Sequence, residues 1–272
     1  MYDLIIGVFA CDKVLSYLMQ LQAVQETWGK EVPLNVKILY FLGEIRTGLW
    51  NDEESFIHLP GIQDDYLSAS YKQFMGMRYI HQHYQDQYRF VMFCGTDTYP
   101  VIERLVELLK SWDPKLPLYM GGHGDYRSIG EEIHNLYFHS GGPGFILSHA
   151  AVEMLYPSLE TAVETWLRIC HRHNLHDLIV ACDVAVAYLL HTIGKGAVKI
   201  VIVNGGFMNC NIYGYPCHVG QVNMDQILSC HNMSLDDFHV FYNYLQHKVI
   251  HRKNLEKVIF QEEKKQQACA IL

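Results

Sequence analysis

Short β-branched and aromatic runs alternate along the chain with longer segments of helical periodicity. Four runs are predicted as strands: Leu4–Phe9, Val36–Leu42, Tyr88–Cys94 and Val198–Val203. Three of the intervening segments are predicted as helices: Val14–Trp28, Asp65–Tyr84 and Val101–Trp112. Because strands that alternate with crossover helices form parallel sheets, the pattern predicts an α/β fold with a mostly parallel central sheet flanked by helices.

The chain is long enough for one domain with a large core, since half of its 272 residues are hydrophobic. The composition changes after 247, where charged residues dominate. We therefore predict a globular domain at 1–247 and a charged tail at 248–272. The opening 1–13 lacks the basic region of a signal peptide, and no apolar run reaches the roughly 20 residues that span a bilayer, so a soluble chain is expected.

The charge and the cysteine content limit the classes of partner and the cellular compartment that fit the chain. Against 29 acidic residues there are 21 Lys and Arg, and the net charge of −8 argues against nucleic acid as a partner. The eight cysteines form no CxxC pair, so we expect reduced thiols in the cytosol, although Cys210 and Cys217 could pair in an oxidising compartment. His171 and His173 resemble half of a zinc site, but no second ligand pair stands at a suitable spacing.

Asp97 is a candidate functional residue because of its place after a strand. It follows the run that ends at Cys94, and ligands of open α/β sheets bind beyond the carboxyl ends of the strands. The alternative is an N-cap for the helix that follows Pro100.

A set of motifs follows in a characteristic order. The motifs are Glu26-Thr27-Trp28-Gly29, Tyr40-Phe41-Leu42-Gly43, Asp65-Tyr66 with Lys72, Thr96-Asp97-Thr98-Tyr99, Ser140-Gly141-Gly142-Pro143-Gly144-Phe145-Ile146-Leu147-Ser148 and Cys182-Asp183-Val184. Their order resembles the β1,3-glycosyltransferase family of Fringe and the core-1 galactosyltransferases, over nearly the whole chain.

The resemblance implies a GT-A fold, a divalent metal ion (Mn²⁺ or Mg²⁺) and a UDP-sugar donor. The implied reaction is inverting, metal-assisted transfer of a hexose or N-acetylhexosamine to an acceptor hydroxyl, with UDP-galactose or a UDP-N-acetylhexosamine as donor. A divalent cation suits this chemistry because it neutralises the charge that UDP carries away. The acceptor, whether protein, glycan or lipid, is not readable from the sequence.

The implied metal ligands are Asp97 and His231. Asp97 matches the last aspartate of the family's acidic triplet, whereas Gly95 and Thr96 replace the first two acids, so reduced metal affinity is expected. His231 follows Ser229-Cys230 and matches the family's histidine near the end of the domain.

Asp183 is the implied catalytic base. It occupies the family's acidic-pair position, with Cys182 in place of the first acid, and it opens an apolar helical run. An inverting transfer needs a base that takes the acceptor's proton. The alternative is a helix N-cap.

Further donor-site residues are Lys72, Thr96, Gly141 and Gly142. Lys72 is a candidate for the diphosphate, with a water-facing lysine as the alternative. The glycines let the backbone approach the sugar, or else form only a tight turn. The presence of Trp28 and Gly29 in the motif has two explanations, packing in the core and contact with the donor.

Two other functions stay open. A degenerate member of the family could bind a nucleotide sugar or glycan without turnover, because the triplet has lost two acids. A hydrolase could instead release free sugar from a UDP-sugar.

The chain finishes with Cys269-Ala270-Ile271-Leu272, which satisfies the C-a-a-X pattern for prenylation of Cys269. Between 248 and 265 six Lys and Arg outnumber three acids, and such a segment can add to membrane attachment. We therefore expect a prenylated protein on the cytosolic face of a membrane, and a microbial protein delivered into a eukaryotic host is one origin that fits.

Overall fold

The computed structural model describes residues 1–50, 52, 54–65, 68–218 and 222–248. The strands are β1 Tyr2–Phe9, β2 Val36–Leu42, β3 Phe56–His58, β4 Tyr88–Gly95, β5 Tyr99–Pro100, β6 Leu118–Gly121, β7 Gly124–Ile129, β8 Ile133–His139, β9 Phe145–Ser148, β10 Lys199–Ile202, β11 Phe207–Met208 and β12 Ser229–Cys230. The helices are α1 Leu15–Glu26, α2 Ala69–Tyr84, α3 Ile102–Leu109, α4 His149–Leu155, α5 Ala162–Arg172, α6 Cys182–Gly194 and α7, described over 235–248. Short 3₁₀ turns occur at Tyr156–Thr161 and His176–Leu178.

The central sheet has seven strands in the order β10-β6-β9-β4-β1-β2-β3. Strands β3, β2, β1 and β4 run parallel, as do β6 and β10, while β9 is antiparallel to both β4 and β6. The predicted α/β fold with a mostly parallel sheet is therefore confirmed.

All four predicted strands are present, with ends that differ by at most two residues. The three predicted helices are present too, but each is shorter than predicted; α2 begins at Ala69 rather than at Asp65. The β7–β8 hairpin and the antiparallel β9 are additional elements.

Both faces of the sheet are buried. In β1, Ile5 belongs to the core on one face, whereas Leu4, Ile6 and Val8 belong to the core on the other. Helices α2, α4, α5 and α6 cover the first face, and α1, α3 and α7 cover the second. Such two-sided burial explains why the strands are continuous hydrophobic runs.

A small second sheet joins distant parts of the chain next to the main sheet. Strand β12 pairs parallel with β11 and antiparallel with β5, in the order β11-β12-β5. The register places Cys230 opposite Tyr99. This pairing brings His231, which follows β12, close to Asp97, which follows β4.

The tail beyond Lys248, including Cys269, lies outside the described residues, so prenylation and membrane attachment stay predictions. Among the described helices, none combines the length and apolar character of a membrane span.

Stability is expected to decrease at acidic pH because of His81, which is buried on α2 with its Nδ1 3.1 Å from the Tyr88 hydroxyl. Burial, followed by the neighbouring His149, lowers the pKa of His81. The unfolded chain therefore binds more protons than the folded one as the pH falls below about 6.5, and the free energy of unfolding decreases.

Urea unfolding at about pH 7.5 and about pH 5.5 measures this loss. Between the two pH values, the His81→Gln variant should lose less stability than the wild type. The His134→Gln variant replaces an exposed histidine and should lose as much stability as the wild type. An equal loss in wild type and His81→Gln would contradict the assignment.

Candidate active site

A cavity of about 430 Å³ lies at the carboxyl ends of β1 and β4. Helix α1, the start of α2, the start of α6, the segment before β9 and the residue after β12 form the rest of its wall. It is lined by all the residues that the sequence predicted for the site: Lys72, Thr96, Asp97, Gly141, Gly142, Asp183 and His231. The fold thus brings into one cavity residues from five separate segments of the chain.

Asp97 and His231 face each other in this cavity. The His231 Nε2 lies 3.1 Å from the Asp97 Oδ2, and the Met233 N–H donates to the Asp97 carbonyl over 3.0 Å. The helix-cap alternative for Asp97 is wrong, because α3 begins at Ile102 with Val101 as its N-cap. The Asp97 carboxylate therefore does not cap α3, and the residue lines the cavity together with His231.

The two residues before Asp97 show how the site differs from an acidic triplet. A Cβ at Gly95 would lie only 2.9 Å from the Asp97 Oδ1, so the missing side chain leaves room for the Asp97 carboxylate. The buried Thr96 donates from Oγ1 to the Gln20 Oε1 over 2.9 Å. A neutral hydroxyl–amide pair thus replaces a carboxylate at this wall of the cavity.

These residues fit a divalent cation. The Asp97 carboxylate and the His231 imidazole lie 3.1 Å apart. A carboxylate binds both Mn²⁺ and Mg²⁺, whereas an imidazole binds transition-metal ions, so the pair favours Mn²⁺ over Mg²⁺. The described residues include no cluster of three or more His, Cys, Asp or Glu side chains with metal-site geometry. Cations that bind with a substrate diphosphate need only one or two protein ligands, because phosphate oxygens and water supply the others.

Gly142 is required beside His231. A Cβ on Gly142 would lie 2.3 Å from the His231 Nδ1 and 2.6 Å from the Asn209 Oδ1. The buried Thr98 fixes this glycine by donating from Oγ1 to the Gly142 carbonyl over 2.7 Å. A side chain at position 142 would therefore clash with the imidazole and with Asn209.

Asp183 lies in the first turn of α6, where backbone groups orient its carboxylate. The Gly141 N–H donates to Oδ2 and the Val184 N–H donates to Oδ1, each over 2.9 Å. Burial raises the pKa of Asp183 above its usual value, although these hydrogen bonds oppose the shift. A carboxylate with a raised pKa accepts protons more readily, which suits a general base.

The N-cap alternative for Asp183 is not what the structure shows. Helix α6 begins at Cys182 and its N-cap is Ala181, so Asp183 is inside the helix, even though it accepts one N–H of the first turn. Burial raises the pKa of the Cys182 thiol to about 12, so this thiol is protonated at neutral pH and cannot replace the first acid of the pair.

Lys72 is buried rather than facing water, which makes the water-facing alternative wrong. Its Nζ lies 2.5 Å from the Asp64 Oδ1 and donates to the Ala10 carbonyl over 2.7 Å. The Asp64 carboxylate also accepts the Gly43 N–H over 2.9 Å. These contacts give Lys72 a structural role: it links the start of α2 to the ends of β1 and β2.

Trp28 and Gly29 do not line the cavity. Trp28 is buried in the core beneath α1, and the Gly29 N–H donates to the Val24 carbonyl over 2.9 Å. A Cβ on Gly29 would lie 2.8 Å from the Tyr40 hydroxyl, so packing explains this motif.

Cys210 and Cys217 are both free thiols, the first buried and the second exposed. Burial, with Cys217 nearby, raises the pKa of Cys210 to about 11. Neither His171 nor His173 belongs to a three-ligand cluster of the described residues.

Three residues that contact the site were not predicted from the sequence. Gln20, Asp64 and Asn209 reach Thr96, Lys72 and His231 only through tertiary structure, so no motif marks them.

The fold and the cavity together define an α/β domain with two aspartates and a histidine in a cavity at the carboxyl edge of its sheet. The model of the family described as Fringe-like matches residues 58–202, slightly more than half of the chain. The chain belongs to this family of glycosyltransferases, whose members generally use UDP-sugar donors and a metal ion. Asp97 and Asp183 lie within the matched region and His231 lies beyond it.

Two similar proteins are the chondroitin sulfate synthase 3 proteins of Homo sapiens and Mus musculus. The human protein is 32% identical over 162 residues and the mouse protein 31% identical over 164, in each case 57% of this chain but 18% of the relative. The chain therefore matches less than a fifth of the length of these relatives.

A solved structure is described as a glycosyltransferase involved in the glycosylation of the major capsid of PBCV-1. It aligns with 89% of this chain and 99% of its own, at 13% identity and a TM-score of 0.47. The GT-A fold that membership of the family implies agrees with the mostly parallel sheet of this chain.

Proposed function

We propose that the chain is an inverting glycosyltransferase that moves a hexose or N-acetylhexosamine from a UDP-sugar to an acceptor hydroxyl with the help of a divalent cation. The observation that carries the proposal is the presence, in one cavity, of a carboxyl with a raised pKa and a separate carboxylate–imidazole pair. These are the two functions that the reaction needs: a base for the acceptor and a cation site for the leaving group.

Asp183 has the role of general base. Its carboxylate takes the proton of the acceptor hydroxyl while the hydroxyl oxygen forms a bond to the anomeric carbon and the bond from that carbon to UDP breaks. The N–H groups of Gly141 and Val184 orient the carboxylate, so little reorganisation is needed when the proton arrives.

Asp97 and His231 would bind the cation, which when bound neutralises the negative charge on the departing UDP. Thr96, Gly141 and Gly142 line the cavity between these ligands and Asp183, where the donor sugar would lie. Lys72 also lines the cavity, but its ammonium group is already paired with Asp64.

Purified protein incubated with a panel of UDP-sugars and Mn²⁺, with and without lysate as acceptor, tests the proposal. Acceptor-dependent release of UDP together with a sugar mass on the acceptor is expected. Release of UDP and free sugar without an acceptor would indicate a hydrolase. UDP-sugar binding without any release would indicate a degenerate binding protein, which the loss of acids at Gly95 and Thr96 would then explain.

The metal assignment predicts that Mn²⁺ strengthens UDP binding and that Asp97→Ala removes the gain. In the presence of Mn²⁺, the substitution should weaken UDP binding by more than roughly 10-fold, because even an outer-shell partner of a metal ligand contributes about that much to metal affinity. His231→Ala should have a similar effect. Titration calorimetry of UDP with and without Mn²⁺ measures both.

Asp236→Ala is the control, because it removes an exposed carboxylate from α7 and should leave the gain unchanged. Equal UDP affinity of the wild type with and without Mn²⁺ would disprove the metal assignment.

A further inference from the structure

His231 has two asparagine neighbours at the ring nitrogen that faces away from Asp97. The Asn209 Oδ1 lies 3.1 Å from the His231 Nδ1, and the Asn232 Nδ2 lies 3.0 Å from the same nitrogen. One neighbour is an acceptor and the other is a donor. The opposite ring nitrogen, Nε2, lies 3.1 Å from the Asp97 Oδ2.

A neutral imidazole carries one proton, so the two asparagines favour different tautomers. When Nε2 carries the proton, it donates to Asp97, and Nδ1 accepts from Asn232. When Nδ1 carries the proton, it donates to Asn209, and the lone pair of Nε2 points toward Asp97. Only the second tautomer can bind a cation between Nε2 and the Asp97 carboxylate.

The backbone around Asn209 is tied to His231. The His231 N–H lies 3.1 Å from the carbonyls of both Met208 and Cys210, the residues on either side of Asn209. The Cys217 thiol donates to the Asn209 carbonyl over 2.9 Å. These contacts fix the backbone of Asn209 beside His231, and from there its exposed side chain reaches the imidazole.

Gly142 adds a second constraint. Its missing side chain is the space in which the His231–Asn209 hydrogen bond lies, since a Cβ there would be within 2.6 Å of both atoms of the bond. The cavity wall is thus shaped around this hydrogen bond.

We propose that Asn209 is a positioning residue that stabilises the cation-binding tautomer of His231, and that Asn232 stabilises the competing tautomer in which His231 donates to Asp97. The pair lets the imidazole exchange its proton position when a cation binds, without leaving Nδ1 unpaired in either state. This inference rests on the metal site in the proposed function.

Tautomer-specific NMR of ¹⁵N-labelled histidine tests the exchange directly. His231→Gln identifies the His231 signals, and Zn²⁺ with UDP replaces paramagnetic Mn²⁺, because Zn²⁺ is diamagnetic and binds imidazole. We expect an Nε2-protonated ring in the metal-free protein and an Nδ1-protonated ring with Zn²⁺ and UDP. An unchanged tautomer on addition of Zn²⁺ and UDP would overturn the proposal.

Manganese titration of the two asparagine variants provides an independent test. Asn209→Leu should lower Mn²⁺ affinity about 10- to 100-fold, the usual effect of losing an outer-shell partner. Asn209→Asp keeps an acceptor oxygen and should bind Mn²⁺ at least as tightly as the wild type. Asn232→Gly, which suits the positive φ of 57° at this position, should keep or raise the affinity.

The outcomes separate this inference from the metal assignment. If Asp97→Ala removes Mn²⁺ binding while Asn209→Leu keeps wild-type affinity, Asn209 has no positioning role and the metal site stands. If Asp97→Ala also keeps wild-type affinity, the metal site itself is wrong and the inference fails with it. Thermal melting of each metal-free variant shows whether a lost affinity reflects lost folding.

Discussion

Replacing Asp183 by asparagine is expected to lower the rate of sugar transfer by roughly 100-fold or more, the usual contribution of a general base. The amide has nearly the same shape, but it cannot take the acceptor's proton. Its oxygen can still accept one of the two backbone N–H groups that now bind the carboxylate. UDP affinity should therefore change little, and the melting temperature should fall only by the cost of one lost hydrogen bond. Steady-state kinetics, calorimetry and thermal melting would show that the loss of rate is separate from these effects.

Asp177→Asn is the matched control, because it removes an exposed carboxylate a few residues before α6 and should keep wild-type activity. The pH profile gives a second readout. A general base must be unprotonated to act, and burial raises the pKa of Asp183. As the solution is acidified, the rate should therefore begin to fall at a higher pH than it would with an aspartate of ordinary pKa. A variant that melts early with normal specific activity would assign Asp183 a purely structural role.

Replacing Lys72 by methionine is expected to destabilise the protein by about 3–5 kcal/mol, because it leaves a buried carboxylate without its cation. The side chains of Lys72 and Asp64 are 3% and 0% exposed, so water cannot compensate the Asp64 charge. One oxygen of Asp64 already has no hydrogen-bond partner. Urea unfolding of Lys72→Met measures the loss.

Two controls make the Lys72 result specific. Adding Asp64→Asn to Lys72→Met should recover part of the lost stability, since it removes the uncompensated charge. Lys110→Met breaks an ion pair with Glu107 of the same 2.5 Å separation, but both partners are exposed, so the cost should stay below about 1 kcal/mol. Normal stability of Lys72→Met with weakened UDP binding would instead support the diphosphate role.

The central strands were predictable because they are buried on both faces. Tyr88–Gly95 and Val36–Leu42 are nearly unbroken hydrophobic runs, and such runs appear in the sequence without any knowledge of neighbours. The β7–β8 hairpin was missed because most of Gly124–Ile129 is exposed and shows no hydrophobic alternation. The direction of β9 was not predictable, since the periodicity of a strand is the same in either direction.

The site was predictable only as far as motif order reaches. Asp97, Asp183 and His231 follow from the resemblance, and the structure brings them into one cavity. The partners of these residues do not follow from it, because contacts such as Thr96 with Gln20 or Asn209 with His231 join residues far apart in the chain. Their identities have meaning only once the fold is known.

The short Gly141–Gly142 segment makes the two halves of the site dependent on each other. The N–H of Gly141 binds the Asp183 carboxylate, and Gly142 packs against His231. A displacement of this one backbone segment would move the partner of the base and the neighbour of the metal ligand together. Substitutions that tune the acceptor side of the reaction through this segment therefore alter the donor side as well, so the two specificities are not free to evolve separately.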